Sequence, residues 1–175
     1  MDWRSYSKER HRMGPASARV TVVVFSDFQC PYCKAFAGEA RLIREEHPAD
    51  VAVVFRHLPL SYHVHARPAA LAAECAARQG RFGAMHDILF AQQDSLAAKP
   101  WGRFAEEAGI SDTLAFAQCM SDAPAVEKTI ARDSTAGVRI GVAGTPTILI
   151  RDLRLSGTPS LPELRRHVEA ALHSG

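Results

Sequence analysis

The stretch DFQCPYCK, residues 27–34, follows a continuous apolar run, Val20-Thr21-Val22-Val23-Val24-Phe25. Two cysteines two residues apart can form a structural bridge, half of a zinc site or a redox pair. The flanking pattern narrows the choice. Residues 20–25 are short, β-branched and apolar, which predicts a strand buried on both faces. From Cys30 the period changes. Cys33, Phe36, Ala37, Ala40 and Ile43 share one helical face, and His47-Pro48 ends the helix because a residue before proline avoids the α region. Residues 51–56 form a second apolar run. Strand, helix and strand in about 35 residues make a βαβ unit with a right-handed crossover.

Cys30 thus opens a helix, with Pro31 in its first turn. Helical positions three apart lie ~5–6 Å from each other, within the span a disulfide needs. The helix N-terminus offers partial positive charge and free N–H groups, which stabilise a thiolate at Cys30. Cys33, one turn deeper, is shielded and keeps its proton longer. One sulfur attacks and the other resolves, the division of labour that thiol exchange needs. A zinc site would require two further ligands. Cys75 and Cys119 stand alone, and His63 and His65 would face opposite sides of a strand or lie on a loop. A bridge across two residues closes almost no loop and stabilises little. The redox pair is the strongest reading, and neither metal nor cofactor is expected.

The totals set outer bounds. A chain of 175 residues is long enough for one domain with a proper core, and 47% hydrophobic with 23% charged residues is ordinary globular composition. A formal charge of +2 asks for neither nucleic acid nor an anionic membrane. Four cysteines are too few for a disulfide-built miniprotein. Residues 1–19 carry five basic and two acidic side chains and no apolar run. They read as a solvated, flexible arm, not as a secretion signal.

The middle of the chain is helical. Residues 68–79 are alanine-rich and end at Gly80. Residues 81–93 carry Phe82, Met85, Ile88 and Leu89 at helical spacing. Shorter helices are expected at 101–108 and, after a Ser111 cap, at 113–120. Pro124 suits the first turn of a helix reaching about residue 139. Strand signals return after Gly141: a turn at 144–147, a strand at 148–150 and a partner at 153–155. Ser160-Leu161-Pro162-Glu163 has the capping-box pattern and opens a final helix. The expected division is an arm at 1–19, an α/β unit from 20–65 and 138–175, and an inserted helical unit at 66–137.

The chain resembles the DsbA-like branch of the thioredoxin superfamily, thiol–disulfide oxidoreductases whose thioredoxin fold is interrupted by a helical domain. The resemblance rests on VVFSDFQCPYCKAF (23–36), FRHLPL (55–60), ARPAALAAECAARQGRF (66–82), MHDILFAQQ (85–93) and GVAGTPTILI (141–150). It implies a cis peptide at Thr145–Pro146, beside Cys30, where the Thr145 backbone can hold an extended substrate edge to edge. Pro31 and Tyr32 would line the same substrate site. Cys75 and Cys119 could be buried free thiols or a bridge stapling the helical unit. The resemblance favours the bridge, since some relatives pair cysteines there.

Two departures stand out. Many relatives place an acid six positions before the first cysteine, as proton acceptor for the second thiol; here that position is Val24. Asp27 is expected near the surface as a loop or helix-start acid, which leaves water or Lys34 to take the proton from Cys33. Where strong oxidants of the family have Pro-His between the cysteines, this chain has Pro31-Tyr32, and tyrosine adds no positive charge. His57, His63, His65 and His86 read as satisfied core or boundary residues, with no carboxylate partner placed by spacing.

The resulting expectation is an extracytoplasmic, monomeric protein-disulfide oxidase. Its partners would be cysteine-containing protein substrates and a redox protein that resets the pair. The alternatives are an isomerase or reductase, a glutathione-linked enzyme, a cytoplasmic location, and a binding module that uses the fold as a scaffold.

Overall fold

The computed structural model describes Tyr6, residues 11–122 and residues 124–174. Its five strands are β1 (Arg12–Met13), β2 (Val20–Ser26), β3 (Val51–His57), β4 (Thr147–Ile150) and β5 (Leu153–Ser156), ordered β1-β3-β2-β4-β5 in one sheet. β2 and β3 pair in parallel from Val20↔Val51 to Ser26↔His57. The crossover between them is α1 (Pro31–Glu46). β4 pairs antiparallel with β2, and β5 with β4.

Every residue of β2 and β3 is buried, as their unbroken apolar runs require. Val20, Val22 and Val24 face the larger core, which includes Phe36 and Ile43 of α1 and Leu164 and Val168 of α7 (Leu161–His173). Each such fully buried large side chain contributes ~2 kcal/mol. Val23 and Phe25 face a second, smaller core with Val54, Leu58, Val142 and Leu149. That side is covered by α6 (Pro124–Arg139). α6 comes close because Gly137 has no side chain: a Cβ there would stand 3.2 Å from Phe25 Cδ1.

The helical stretch contains α2 (Ala66–Ala77), α3 (Phe82–Ala91), α4 (Trp101–Glu107), α5 (Thr113–Ser121) and the start of α6. Alanines give α2 a slim, almost wholly buried body, so its neighbours pack close to its backbone. α6 runs without a break from this stretch onto the sheet.

Three local expectations are corrected. Part of the arm is bound: β1 pairs antiparallel with β3, and Met13 packs against the larger core. Gly14, at φ +121°, permits this approach, since a Cβ there would lie 2.8 Å from the Val51 carbonyl oxygen. Residues 1–5 and 7–10 of the arm lie outside the described residues. The cap of α5 is Asp112, whose carboxylate accepts from the Ala115 N–H (2.8 Å), because the helix starts one residue later than a Ser111 cap would place it. Ser160 does occupy the N-cap of α7 but makes no side-chain capping bond.

Candidate active site

Proline's missing N–H and fixed φ suit the first helical position. α1 accordingly begins at Pro31, with Cys30 as its extended N-cap residue. The Cys30 carbonyl accepts from the N–H of Cys33 (3.1 Å) and Lys34 (3.2 Å). Gln93, from the helical stretch, donates through Nε2 to the carbonyls of Phe28 (2.8 Å) and Cys30 (2.9 Å). Thr158, at the far end of the sheet, donates to the Tyr32 carbonyl (2.6 Å). The loop is therefore held from both sides. No acidic residue occupies the first turn of α1, so the positive end of the helix acts on the sulfur without competition.

Both cysteines are free thiols, and the environment separates them. The Cys30 thiol is pulled down to about 5, chiefly by a hydrogen bond from Cys33, against the opposing effect of burial. The Thr145 hydroxyl and the backbone N–H groups of Cys33 and Tyr32 add to the pull. In the thiol form shown, Thr145 Oγ1 is buried without a hydrogen-bond partner. Deprotonation of Cys30 gives that hydroxyl an acceptor. Cys33 is pushed far above the ordinary range, first by burial and then by donating its proton towards Cys30. The Ser26 side chain and the Asp27 N–H, which lies 3.4 Å from Cys33 Sγ, oppose this but do not prevail.

The Thr145–Pro146 peptide is cis. The Thr145 carbonyl lies 3.5 Å from Cys30 Sγ, across 115 residues of sequence. Pro31 and Tyr32 are exposed beside the pair, Tyr32 at 67%. Cys30, Pro31, Tyr32, Cys33, Thr145 and Pro146 thus form one patch. Cys75 and Cys119 are elsewhere, joined as a disulfide with Cα atoms 5.7 Å apart that ties α2 to α5.

Asp27 is not the surface acid expected. It is buried at 1% exposure. Oδ1 accepts from the Gln29 N–H (2.7 Å), and Oδ2 takes the Leu60 N–H (2.8 Å) and His63 Nδ1 (2.8 Å). It stabilises the loop that carries the cysteines. Its partners stand 33 and 36 residues away, so nothing in the local pattern could reveal them. Lys34 Nζ lies 4.0 Å from Asp94 Oδ2. Carboxylate partners that spacing did not show are also found at His57, beside Glu74 (3.0 Å), and at His86, beside Asp87 (2.8 Å). His65 lies at the N-cap of α2, where its N–H donates to Gln29 Oε1 (2.6 Å).

A pair of thiols with opposed proton affinities, at the start of the first helix of this α/β fold and against a cis-proline loop, defines the DsbA-like class of thiol–disulfide oxidoreductases. Residues 6–170 match the family model described as Thioredoxin, and the chain belongs to that family. It superposes on a thioredoxin-like oxidoreductase from Silicibacter pomeroyi DSS-3 with a TM-score of 0.83, 27% identity and all of both chains covered. Pseudomonas aeruginosa DsbA2 gives 0.77 and 29% identity, covering 94% of this chain and 93% of that one. Among curated proteins, the chain is 38% identical over 165 residues to the Na(+)/H(+) antiporter NhaA 3 of Salinispora tropica, covering 94% of this chain and 25% of that protein. The chain spans about a quarter of the length of the curated relatives it matches.

Proposed function

We propose that this protein introduces disulfides into cysteine-containing proteins outside the cytoplasm. Cys30 is the nucleophile and the reactive half of the disulfide, and Cys33 resolves. In the oxidised enzyme a substrate thiolate attacks Cys30 Sγ, forming a mixed disulfide and releasing Cys33 as thiolate. A second substrate thiolate then attacks the substrate sulfur of that bond. Cys30 leaves as a thiolate, the substrate keeps the disulfide, and the enzyme is reduced by two electrons. A redox partner takes those electrons and restores the pair.

The observation that carries this reading is the low proton affinity of Cys30. A thiol stable as thiolate is a good leaving group, which favours donating the disulfide over keeping it. Thr145, with Pro146, offers its backbone beside Cys30 to an extended substrate, and exposed Tyr32 and Pro31 flank that strand. Cys33 needs no dedicated acid at Val24. A cavity of about 20 Å³ lined by Val24, Ser26, Cys33 and His86 has room for one water to carry its proton. The Cys75–Cys119 bridge suits an oxidising compartment. We take the protein as a monomer, with residues 66–137 as the helical unit inserted into the thioredoxin-like domain.

The test is the potential of the Cys30/Cys33 pair, measured against glutathione. An oxidase is expected between about −200 and −120 mV, and a value near the −270 mV of thioredoxin assigns the protein to reduction instead.

A further inference from the structure

On the side of β3 that receives β1, three side chains meet that the thiol chemistry does not use. His11 comes from the segment before β1, His57 from the end of β3 and Glu74 from α2. His11 Nε2 lies 2.5 Å and His57 Nε2 3.0 Å from the same oxygen, Glu74 Oε1. All three side chains are 5% exposed or less. One ligand atom from each lies within 4.8 Å of the others. We propose that His11, His57 and Glu74 form a binding site for a divalent transition-metal ion of the zinc type.

The chemistry of the donors selects the ion. Two imidazole nitrogens and one carboxylate oxygen are a zinc ligand set that leaves a fourth position for water. Calcium and magnesium prefer oxygen ligands throughout. Around a tetrahedral zinc ion, with bonds of about 2.0–2.1 Å, neighbouring ligand atoms stand about 3.3 Å apart. The His57–Glu74 pair is already near that separation, and the His11–Glu74 pair has to open by less than about 1 Å. Nε2 of both rings already faces Glu74 Oε1, so the three donor atoms converge on one point.

The ligands are held before any ion arrives. His11 is in the left-handed region at φ 55°, and its ring is stacked on Phe82 with centroids 3.8 Å apart. Its carbonyl accepts from the Phe55 N–H (3.2 Å). His57 is fixed through its own N–H, which donates to Asp133 Oδ2 (3.2 Å). His11 and Glu74 also line an open groove, so an ion and its water can enter from solvent. Arg12 and Arg78 line the same groove and disfavour ions bound by charge alone. This favours coordination by nitrogen. A bound ion would join the N-terminal segment, the sheet and the helical stretch at one point.

The test uses untagged full-length protein with Cys30 and Cys33 oxidised to their disulfide, so that thiols cannot hold the metal. Equilibrium dialysis against Zn²⁺ should give one ion per chain. Co²⁺ should give the intense visible bands of a tetrahedral site without a thiolate charge-transfer band. His57→Ala and Glu74→Gln should each weaken Zn²⁺ binding at least tenfold, with folding checked by circular dichroism. His11→Ala, at the edge of the sheet, serves if the other two fail to fold. Excess Ca²⁺ or Mg²⁺ should not displace Zn²⁺. The proposal is overturned if oxidised protein binds no stoichiometric Zn²⁺, if every folded variant binds it as well as the parent, or if Ca²⁺ or Mg²⁺ competes equally. None of these outcomes depends on thiol-exchange activity, so the site stands or falls separately from the proposed function.

Discussion

Alkylation of Cys30 as a function of pH probes the site most directly. The thiol is placed at about 5, against 9.0 for an unperturbed one. At pH 7 about 99% of Cys30 is thiolate, compared with about 1% of an ordinary cysteine. That hundredfold gain is nearly cancelled, because nucleophilicity falls with proton affinity by a Brønsted slope of about 0.4–0.5, or ~40–100-fold over this interval. Rates at pH 7 should therefore look unexceptional. At pH 5 half of Cys30 is ionised against ~1 in 10,000 of an ordinary thiol, leaving a net advantage of about 50–125-fold. The assay is the rate of iodoacetamide modification of reduced protein from pH 3.5 to 9, with glutathione as reference. A flat profile above pH 6 with a midpoint near 5 is expected. A rate that climbs tenfold per unit between pH 5 and 8 refutes the reasoning. Each tenfold preference for the reduced form raises the pair's potential by ~30 mV, so the thiolate adds at most ~60 mV at pH 7. Solvent screening at the loop surface reduces that figure. Stability has the matching sign. A depressed acid stabilises the fold fully above the unfolded value and loses that effect as pH falls through the folded one. The reduced protein should thus gain on the oxidised one as pH rises from about 5 to 9, which paired thermal melts will show.

Thr145→Val removes the hydroxyl that the thiolate recruits, so the Cys30 midpoint should move up; an unchanged alkylation profile would mean the hydroxyl plays no part. Cys33→Ser should accumulate a mixed disulfide with a cysteine-containing substrate, visible on non-reducing gels, while Cys30→Ser should trap none; equal trapping by both would reverse the assigned roles. The Cys75–Cys119 bridge closes a loop across a separation of 44 residues. Chain entropy assigns it about 4 kcal/mol, so a Cys75→Ala/Cys119→Ala variant should melt ~10 °C lower, and a change under ~2 °C would count against this. Asp27→Asn turns an acceptor of buried N–H donors into a partial donor, which should cost about 2 kcal/mol in urea unfolding; a neutral result would place Asp27 outside the loop's support.

The sequence shows most clearly what is local. The apolar runs of β2 and β3 and the change of period at Cys30 leave little freedom for the βαβ unit, and the helices of the middle follow their proline and glycine punctuation within a residue or two. Cys30 at the N-cap follows from its neighbours Pro31 and the preceding strand. Thr145 is a different case: 115 residues separate it from Cys30, and only the family resemblance links them. Asp27 and the His11–His57–Glu74 cluster were illegible for a related reason. A single acid or histidine carries no period, and its burial depends on partners supplied by other elements. β1 is two residues long, too short for alternation to register, and its hold on the sheet comes from pairing and the inward turn at Gly14.

The opposed proton affinities of the two sulfurs also give Val24 a meaning. The largest cause of the low value at Cys30 is the hydrogen bond from Cys33, and Cys33 donates because burial keeps it protonated. The buried floor around Cys33 therefore acts on Cys30 through one shared proton. An acid at position 24 would help strip that proton for resolution. It would also place a negative charge under the pair, which disfavours the thiolate at Cys30 and weakens its leaving ability. Valine takes the other side of this trade: Cys30 leaves readily, while Cys33 must deliver its proton through water in a cavity of about 20 Å³. If Cys33 resolves as proposed, this proton transfer is the step that the missing acid slows. Disulfide donation suits such a site because it can finish without resolution by Cys33, when a second substrate thiol displaces Cys30 from the mixed disulfide.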